Sequence, residues 1–238
     1  MTDVTTIYVC TRYDHPFQML GPDLVPLSRS FRERKDEPKT DFIKEYLMCP
    51  ALTDTMKDTF VVPSPLDLEF GRDENNGLIA QAGSPKANQD LFMTFTEIEN
   101  GHSEYSIQFL NDHYITVFAD KPTMLEFTPP YMHSSKMYGF GGRYDIHNWL
   151  RPLNFVLETR DRISIKKGEP LAYLRFVTSN KIKIVYVATD DRYEQIVKGC
   201  IHYKLMKPRT SLRDMYNIFS RSRQKQKLLK LLKELSND

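Results

Sequence analysis

The sequence has few cysteines and lacks any long hydrophobic run. Its three cysteines, Cys10, Cys49 and Cys200, are widely spaced and form no Cys-x-x-Cys pair, so neither a disulfide framework nor a structural zinc site is supported. No apolar segment approaches the about 20 residues that span a bilayer, and no basic segment followed by an apolar one opens the chain. We therefore expect no membrane span, no secretory signal and a reducing, cytoplasmic setting.

Common catalytic and nucleotide-binding motifs are also missing. The chain has no Gly-x-Ser-x-Gly element, and "GFGGR" at residues 139–143 lacks the Gly-Lys-Ser/Thr ending of a phosphate-binding loop. No clear helix follows these glycines to offer its N-terminus to an anion. We therefore expect no cofactor and favour a non-enzymatic protein.

One pattern keeps an enzyme open as an alternative. His102 and Glu104, in a His-x-Glu pattern, together with the distant His147 make a formal two-histidine, one-carboxylate set. This is the ligand set of Fe(II)-dependent oxygenases. However, His102 directly follows the Asn100-Gly101 turn signal, which is equally typical of a surface hairpin tip.

Short strands separated by turns dominate the chain up to residue 189. The segments "IYVCTRY", "LFMTFTEI", "EYSIQFL", "YITVFA", "TMLEFT", "LNFVLETR" and "KIKIVYVA" are rich in β-branched and aromatic residues. Their close succession predicts a mainly β chain, an antiparallel β-sandwich or barrel spanning residues 1–189. Within it, the proline-rich and charged residues 21–40 are predicted to be an exposed connection. Gly168 is expected to adopt a positive φ in the turn before Pro170.

Residues 190–238 have helical periodicity. Asp191 and Glu194 are a possible cap for the first helix, and Ser211 with Asp214 begins another. The segment "SRSRQKQK" interrupts the apolar pattern, which then resumes in four leucines: Leu228, Leu231, Leu232 and Leu235. We predict a helical C-terminal extension that reaches away from the β-rich domain and docks these leucines onto another copy or a partner.

The charge of this region is uneven. Residues 207–238 contain nine Lys or Arg and three Asp or Glu, a balance of +6, so the rest of the chain carries −4 of the total +2. A second alternative is therefore nucleic-acid binding through phosphate contacts. The residues concerned are Arg221, Arg223, Lys225, Lys227, Lys230 and Lys233. No aromatic residue follows Phe219, so base stacking is not expected, and a simply solvated helix face explains the same pattern.

The segment "YGFGGRYDIHNWLRP", residues 138–152, holds the only tryptophan. Arginines and aromatic residues are typical of recognition surfaces. The residues that would form such a surface are Arg143, Tyr144, His147, Trp149 and Arg151. The competing interpretation is that Trp149 anchors a loop to the core and an arginine pairs with a carboxylate such as Glu158.

Four blocks together resemble a known family. "CPALTDTMKDTFVVPSPLDLEF", "MLEFTPPYMH", "NWLRPLNFVLETR" and "ISIKKGEPLAYLRF" occur in this order over roughly residues 45–178. They resemble a β-rich family of unknown function from tailed phages of marine bacteria and some bacterial genomes. The segment "FVLETRDRISIKKGEPLAYLRF" is also similar to a strand pair of the β-clip fold of deoxyuridine triphosphatases, but their serine-bearing phosphate motif has no counterpart here.

The resemblance implies no catalytic residues. Combined with the residue patterns, it leads us to expect a phage-type structural or accessory protein in the host cytoplasm or the virion. Its expected partners are further copies of itself or another viral protein, with nucleic acid as an alternative and no membrane.

Overall fold

The computed structural model is β-rich, with several antiparallel sheets and C-terminal helices. It describes residues 3–12, 24–33, 48–64, 67–72, 78–82, 92–97, 105–109, 115–128, 130, 138–139, 142–152, 155–159, 163–197 and 209–236. The strands are β1 (Val4–Arg12), β2 (Val25–Pro26), β3 (Thr59–Pro63), β4 (Leu68–Arg72), β5 (Leu78–Ala82), β6 (Phe92–Glu97), β7 (Tyr105–Phe109), β8 (Ile115–Ala119), β9 (Met124–Thr128), β10 (Tyr138–Gly139), β11 (Gly142–Asp145), β12 (Arg151–Pro152), β13 (Phe155–Thr159), β14 (Ile163–Ile165), β15 (Pro170–Val177) and β16 (Lys181–Thr189). The helices are α1 (Leu27–Glu33), α2 (Pro50–Met56), α3 (Leu212–Arg221) and α4 (Arg223–Leu235), and residues 191–197 are also helical.

The described strands form four sheets. Sheet A has the order β12-β8-β1-β16, sheet B has β11-β9-β15-β3-β2, sheet C has β14-β4-β5, and sheet D has β10-β13-β7-β6. The β6–β7 pair confirms the hairpin predicted around Asn100-Gly101. All strand pairs in these four sheets are antiparallel except β1 with β16. These two strands run parallel from Val4↔Lys181 to Arg12↔Thr189. The mainly β prediction is confirmed, and the described strands do not close a barrel.

One apolar core lies between sheets A, B and C, and we call it the inter-sheet core. In β1, Ile7 and Val9 enter this core, whereas Tyr8 and Cys10 point to the opposite side of sheet A. Successive side chains of a strand alternate between faces, so sheet A is buried on both sides. The inter-sheet core consists of Ile7, Val9, Leu24, Val62, Leu68, Val117, Ala119, Leu125, Phe127, Ile146, Ile163, Ile165, Leu171, Ala172, Leu174 and Phe176.

The second face of sheet A is covered by the C-terminal helices, in what we call the helix-side core. Tyr8, Cys10 and Phe118 of the sheet share this core with Met215 and Phe219 of α3. Leu228, Leu231 and Leu232 of α4 are 0%, 7% and 0% exposed, and Leu235 packs against them. The prediction that the extension reaches away from the β-rich domain is therefore wrong. Its leucines dock in cis because the sheet offers them an apolar surface.

Side-chain caps set the boundaries of these helices. The Ser211 hydroxyl accepts a hydrogen bond from Asp214 N at 3.1 Å, which confirms the predicted start of α3. Ser222 separates α3 from α4 and accepts from Gln224 N at 3.3 Å. For residues 191–197, the cap is Asp190 rather than the predicted Asp191, since Asp190 Oδ1 accepts from Tyr193 N at 3.1 Å. No helix within the described ranges is long and apolar enough to cross a membrane.

The outer face of sheet B is covered by two short helices. Leu27 of α1 and Met56 of α2 are buried with Val61 and Tyr173 of the sheet. Within the predicted exposed connection at residues 21–40, Leu24 and Leu27 are instead buried, and residues 25–33 form β2 and α1. Leu24 lies in the inter-sheet core and Leu27 packs on the outer face of sheet B, so this proline-containing segment is attached to the sheet at both residues.

The turn between β14 and β15 adopts its predicted conformation. Gly168 has a φ of +89°, a region that glycine adopts without steric strain. Its N–H donates to Ser64 O at 2.8 Å, and Ser64 N donates to Glu169 O at 2.7 Å. The turn is thereby joined to the end of β3.

Docking of α4 in cis can be tested at Leu232. We expect Leu232→Ala to lower the free energy of unfolding by about 2–5 kcal/mol, because it leaves a cavity in the helix-side core. The exposed neighbour Lys233 is the matched control, and Lys233→Ala should change stability by no more than about 0.5 kcal/mol. Urea unfolding measures both, and the wild-type midpoint should not depend on protein concentration. Equal stabilities of the two variants, or a concentration-dependent midpoint, would contradict docking within one chain.

Candidate functional site: the Asp145 loop and the basic helix pair

The segment between β11 and β12 is held by the carboxylate of Asp145. This carboxylate accepts hydrogen bonds from His147 N at 3.1 Å, Asn148 N at 3.0 Å and Asn148 Nδ2 at 2.7 Å. Aspartate commonly stabilises a turn by bonding to the backbone two residues on. Between these residues, Ile146 is fully buried and accepts from Ala119 N at 3.0 Å. The loop is therefore attached to β8. Its conformation is stabilised by hydrogen bonds between residues that are close in the sequence.

Both ring nitrogens of His147 have partners. Nδ1 lies 3.0 Å from Ala119 O, and Nε2 lies 2.9 Å from Lys225 Nζ of α4. A carbonyl oxygen can only accept and an ammonium can only donate, so these two contacts fit the tautomer that carries its proton on Nδ1. His147 would have to break one of these bonds to bind iron. The other members of the alternative iron site, His102 and Glu104, lie outside the described residues, among which no cluster of three metal-binding side chains occurs.

Lys225 connects the loop to α4. Its ammonium donates to His147 Nε2 and, at 3.0 Å, to Asn148 Oδ1. Burial lowers the pKa of Lys225, and the nearby Asp145 carboxylate opposes this effect. Lys225 is thus half-buried and bonded within the chain, unlike the other predicted phosphate-contacting residues of α4, which are exposed. Lys225 precedes Leu228 by three residues and Leu232 by seven, so helical spacing alone places it beside the leucines.

Trp149 anchors the loop to α3. It is 8% exposed, and its ring centroid lies 5.5 Å from the centroids of both Tyr216 and Phe219. Aromatic pairs at this separation are favourable in tilted and edge-to-face arrangements. Trp149 is therefore buried rather than presented at a recognition surface, and it anchors the loop to the C-terminal helices, not to the inter-sheet core.

Arg143 and Tyr144, two further residues of that predicted surface, do not converge with Trp149. Arg143 is exposed on sheet B and pairs with Glu126, its cross-strand neighbour, rather than with Glu158. Tyr144 packs against the inter-sheet core. The side chain of Arg151 lies outside the described part of the structure. The five residues therefore do not form one recognition surface, since Arg143 and Tyr144 belong to sheet B and His147 and Trp149 face the helices.

The outward side of α3 and α4 is basic, and we call it the basic surface. On α4 the cations recur at positions i, i+4, i+7 and i+10, opposite the buried leucines. At 1.5 Å per residue they extend over about 15 Å. No acidic residue of the described structure forms an ion pair with any member of this surface. Its members are Arg213, Arg221, Arg223, Lys227, Lys230 and Lys233, all exposed.

Two acidic residues in these helices have partners elsewhere. Asp214 accepts from the Ser211 hydroxyl at 2.6 Å, at the N-terminus of α3. Glu234 accepts from Arg192 Nη1 at 2.7 Å, which joins the end of α4 to the helical residues 191–197. Both carboxylates are thus engaged locally, and the basic surface keeps its charge. The sequence analysis did not include Arg213, because this residue lies near the start of α3 and apart from the run of cations that begins at Arg221.

A buried polar cluster beneath the helices lacks the chemistry of a nucleophile. Thr116 and Tyr193 are hydrogen-bonded through their hydroxyl groups, next to the thiol of Cys10. Burial raises the pKa of Cys10 to about 12 and also raises the pKa of Tyr193. Only the thiolate is a good nucleophile, so Cys10 is inert at neutral pH. This cluster therefore fills the core.

Alkylation should distinguish the two cysteines that the structure describes. Cys49 is exposed, and Cys10 is buried. In folded protein under mildly alkaline conditions, we expect iodoacetamide to label Cys49 and to spare Cys10, as read by peptide mass spectrometry. In urea, both should be labelled. Labelling of Cys10 at the rate of Cys49 in the folded protein would contradict its burial.

The same burial sets a pH dependence of stability. Because the folded-state pKa of Cys10 exceeds the ordinary value of 9.0, its contribution to stability is complete below pH 9.0 and is lost as the pH rises toward about 12. The free energy of unfolding should therefore fall over this range. In Cys10→Ala this alkaline decline should be shallower, and an identical slope would contradict the assignment.

The contact between Lys225 and His147 can be tested by the ring tautomer. We expect nitrogen-15 chemical shifts to show His147 as the neutral Nδ1–H tautomer in the wild type. Lys225→Met removes the donor to Nε2, so it should change the tautomer populations and lower stability by about 1 kcal/mol. Lys227→Met, two residues along on the exposed side, should change neither. An unaltered tautomer in Lys225→Met would contradict the contact.

Comparisons with known proteins add no assignment to this geometry. No protein-family model, no curated protein and no solved structure matches the chain.

Proposed function

We propose that this protein is a non-enzymatic accessory protein that binds nucleic acid through the basic surface of α3 and α4. The observation that carries the proposal is the division of α4 into two sides. Its leucines pack against sheet A, whereas Arg223, Lys227, Lys230 and Lys233 are exposed without ion pairs to described residues. A row of exposed cations on a rigid helix is suited to an extended polyanion.

The charge distribution supports this choice of ligand. Residues 209–236 contain eight Lys or Arg and two Asp or Glu, a balance of +6, so the rest of the chain carries −4. A molecule with separated charge of this kind is oriented as it approaches a polyanion, with its basic side forward. Neutralising phosphates with Lys and Arg releases condensed counterions, which drives association at low salt.

Docking of another protein onto the leucines is less well supported. Leu228, Leu231 and Leu232 are in the helix-side core of the same chain, so they offer no free surface to a second copy. Self-assembly through another surface remains part of the phage-type structural role that the order of the sequence motifs suggested. We also retain a β-sandwich as the proposed arrangement of sheets A and B, supported by the core that they share.

A membrane surface is a poorer ligand than nucleic acid for this geometry. A helix that binds at a lipid interface inserts an apolar face between the headgroups. The apolar face of α4 is occupied by sheet A, and in α3 the exposed large apolar side chain is Ile218, at 44%. The exposed side of the helix pair therefore offers charge with little apolar area.

The proposal predicts how a triple substitution on α4 changes DNA binding. Replacement of three lysines by glutamine should weaken binding to a fluorescent DNA duplex at least about tenfold at low salt. The lysines are Lys227, Lys230 and Lys233. The slope of log K against log salt should also become shallower by about 2–3, near 0.9 for each lost phosphate contact. Fluorescence anisotropy over a salt series measures both quantities.

The matched control has the same loss of charge in another part of the molecule. Lys57, Lys166 and Lys167 are exposed near sheets B and C, and their replacement by glutamine also removes three positive charges. This variant should keep the wild-type salt slope. Equal losses of DNA affinity in both variants would mean that net charge alone explains the effect. Absence of DNA binding by the wild type at low salt would refute the proposal.

A further inference from the structure

We infer that the basic surface recognises double-stranded nucleic acid in preference to single strands, through phosphate contacts that do not depend on base stacking. This inference rests on the proposed function and specifies its ligand. Two properties of the surface support it: the environment of its aromatic residues and the arrangement of its charge.

The aromatic residues of α3 offer little surface to unpaired bases. Phe219 is 4% exposed, and Tyr216 packs partly buried against Trp149. α4 contains no aromatic residue. Proteins that hold single strands combine a basic groove with aromatic side chains on which successive bases stack. The outward side of α3 and α4 provides the cations without the aromatic side chains.

A duplex offers these cations more phosphate charge within their reach than a single strand does. Arg223, Lys227, Lys230 and Lys233 extend over about 15 Å of α4. A duplex carries one charge per about 1.7 Å of its axis, so about nine phosphate charges lie within this distance, about twice as many as on one strand. Since the helix is held along its length by the buried leucines, its cations meet these phosphates with little loss of backbone entropy.

The inward orientation of Lys225 sharpens this assignment. Its ammonium is bonded to His147 and Asn148, so it contacts the loop and does not belong to the basic surface. Lys227 lies two residues further on, on the exposed side. The two lysines are thus a matched pair for substitution. Replacing Lys227 removes a proposed phosphate contact, whereas replacing Lys225 removes a contact within the protein.

Competition between duplex and single strand tests the inference. A labelled duplex of about 20 base pairs and one of its strands are titrated with wild-type protein by fluorescence anisotropy over a salt series. We expect the duplex to bind at least about fivefold more tightly and with the steeper salt slope, and duplexes of unrelated sequence to bind within about threefold of each other. Lys227→Met should lower the duplex salt slope by about 1, whereas Lys225→Met should leave that slope unchanged.

The outcomes separate this inference from the function on which it rests. Tighter binding of the single strand would overturn the duplex preference and leave nucleic-acid binding intact. Stronger binding to phosphatidylserine vesicles than to duplex would overturn both the inference and the choice of ligand. Absence of binding to duplex, single strand and vesicles would refute the proposed function itself.

Discussion

The packing of the leucines of α4 against sheet A is the contact on which the rest of this structure depends. Sheet A is apolar on both faces, and only one of them is covered by other strands. Without the helices, Tyr8, Phe118 and Val187 would be exposed to water. Burial of such side chains contributes about 1.5–3 kcal/mol each, which is large compared with the net stability of a domain. The same contact turns the basic surface of α4 outward. It therefore determines both the stability of the sheet and the surface that is available for binding.

The Asp145 loop links this contact to the sheets. Residues 138–152 contribute β10 to sheet D, β11 to sheet B and β12 to sheet A. The loop between β11 and β12 presents Trp149 to α3 and His147 to Lys225 of α4. The most unusual segment of the sequence therefore organises the structure, and its tryptophan and histidine support the basic surface without being part of it.

Local patterns predicted much of the secondary structure, because they depend on neighbours in the chain. The strand at "KIKIVYVA", the cap at Ser211 and the positive φ of Gly168 were all evident. Pairing was harder to foresee: β1 and β16, the first and the last of the described strands, are parallel neighbours. The inward orientation of Lys225 could have been inferred from its spacing to Leu228 and Leu232. The short strands at residues 138–152 could not have been inferred from the sequence, since their glycines and aromatic residues are equally typical of a loop.

The sequence by itself determined that the chain is mainly β, that helices close it and that positive charge concentrates in those helices. It also determined that α4 has a leucine side and a basic side. Only the tertiary structure decided which side is free. The leucines could have met another copy, but sheet A brings together β1, β8 and β16 into an apolar surface that no local pattern reveals. Because burial within the chain avoids the translational and rotational entropy lost in association, the leucines pack in cis and the cations remain in solvent.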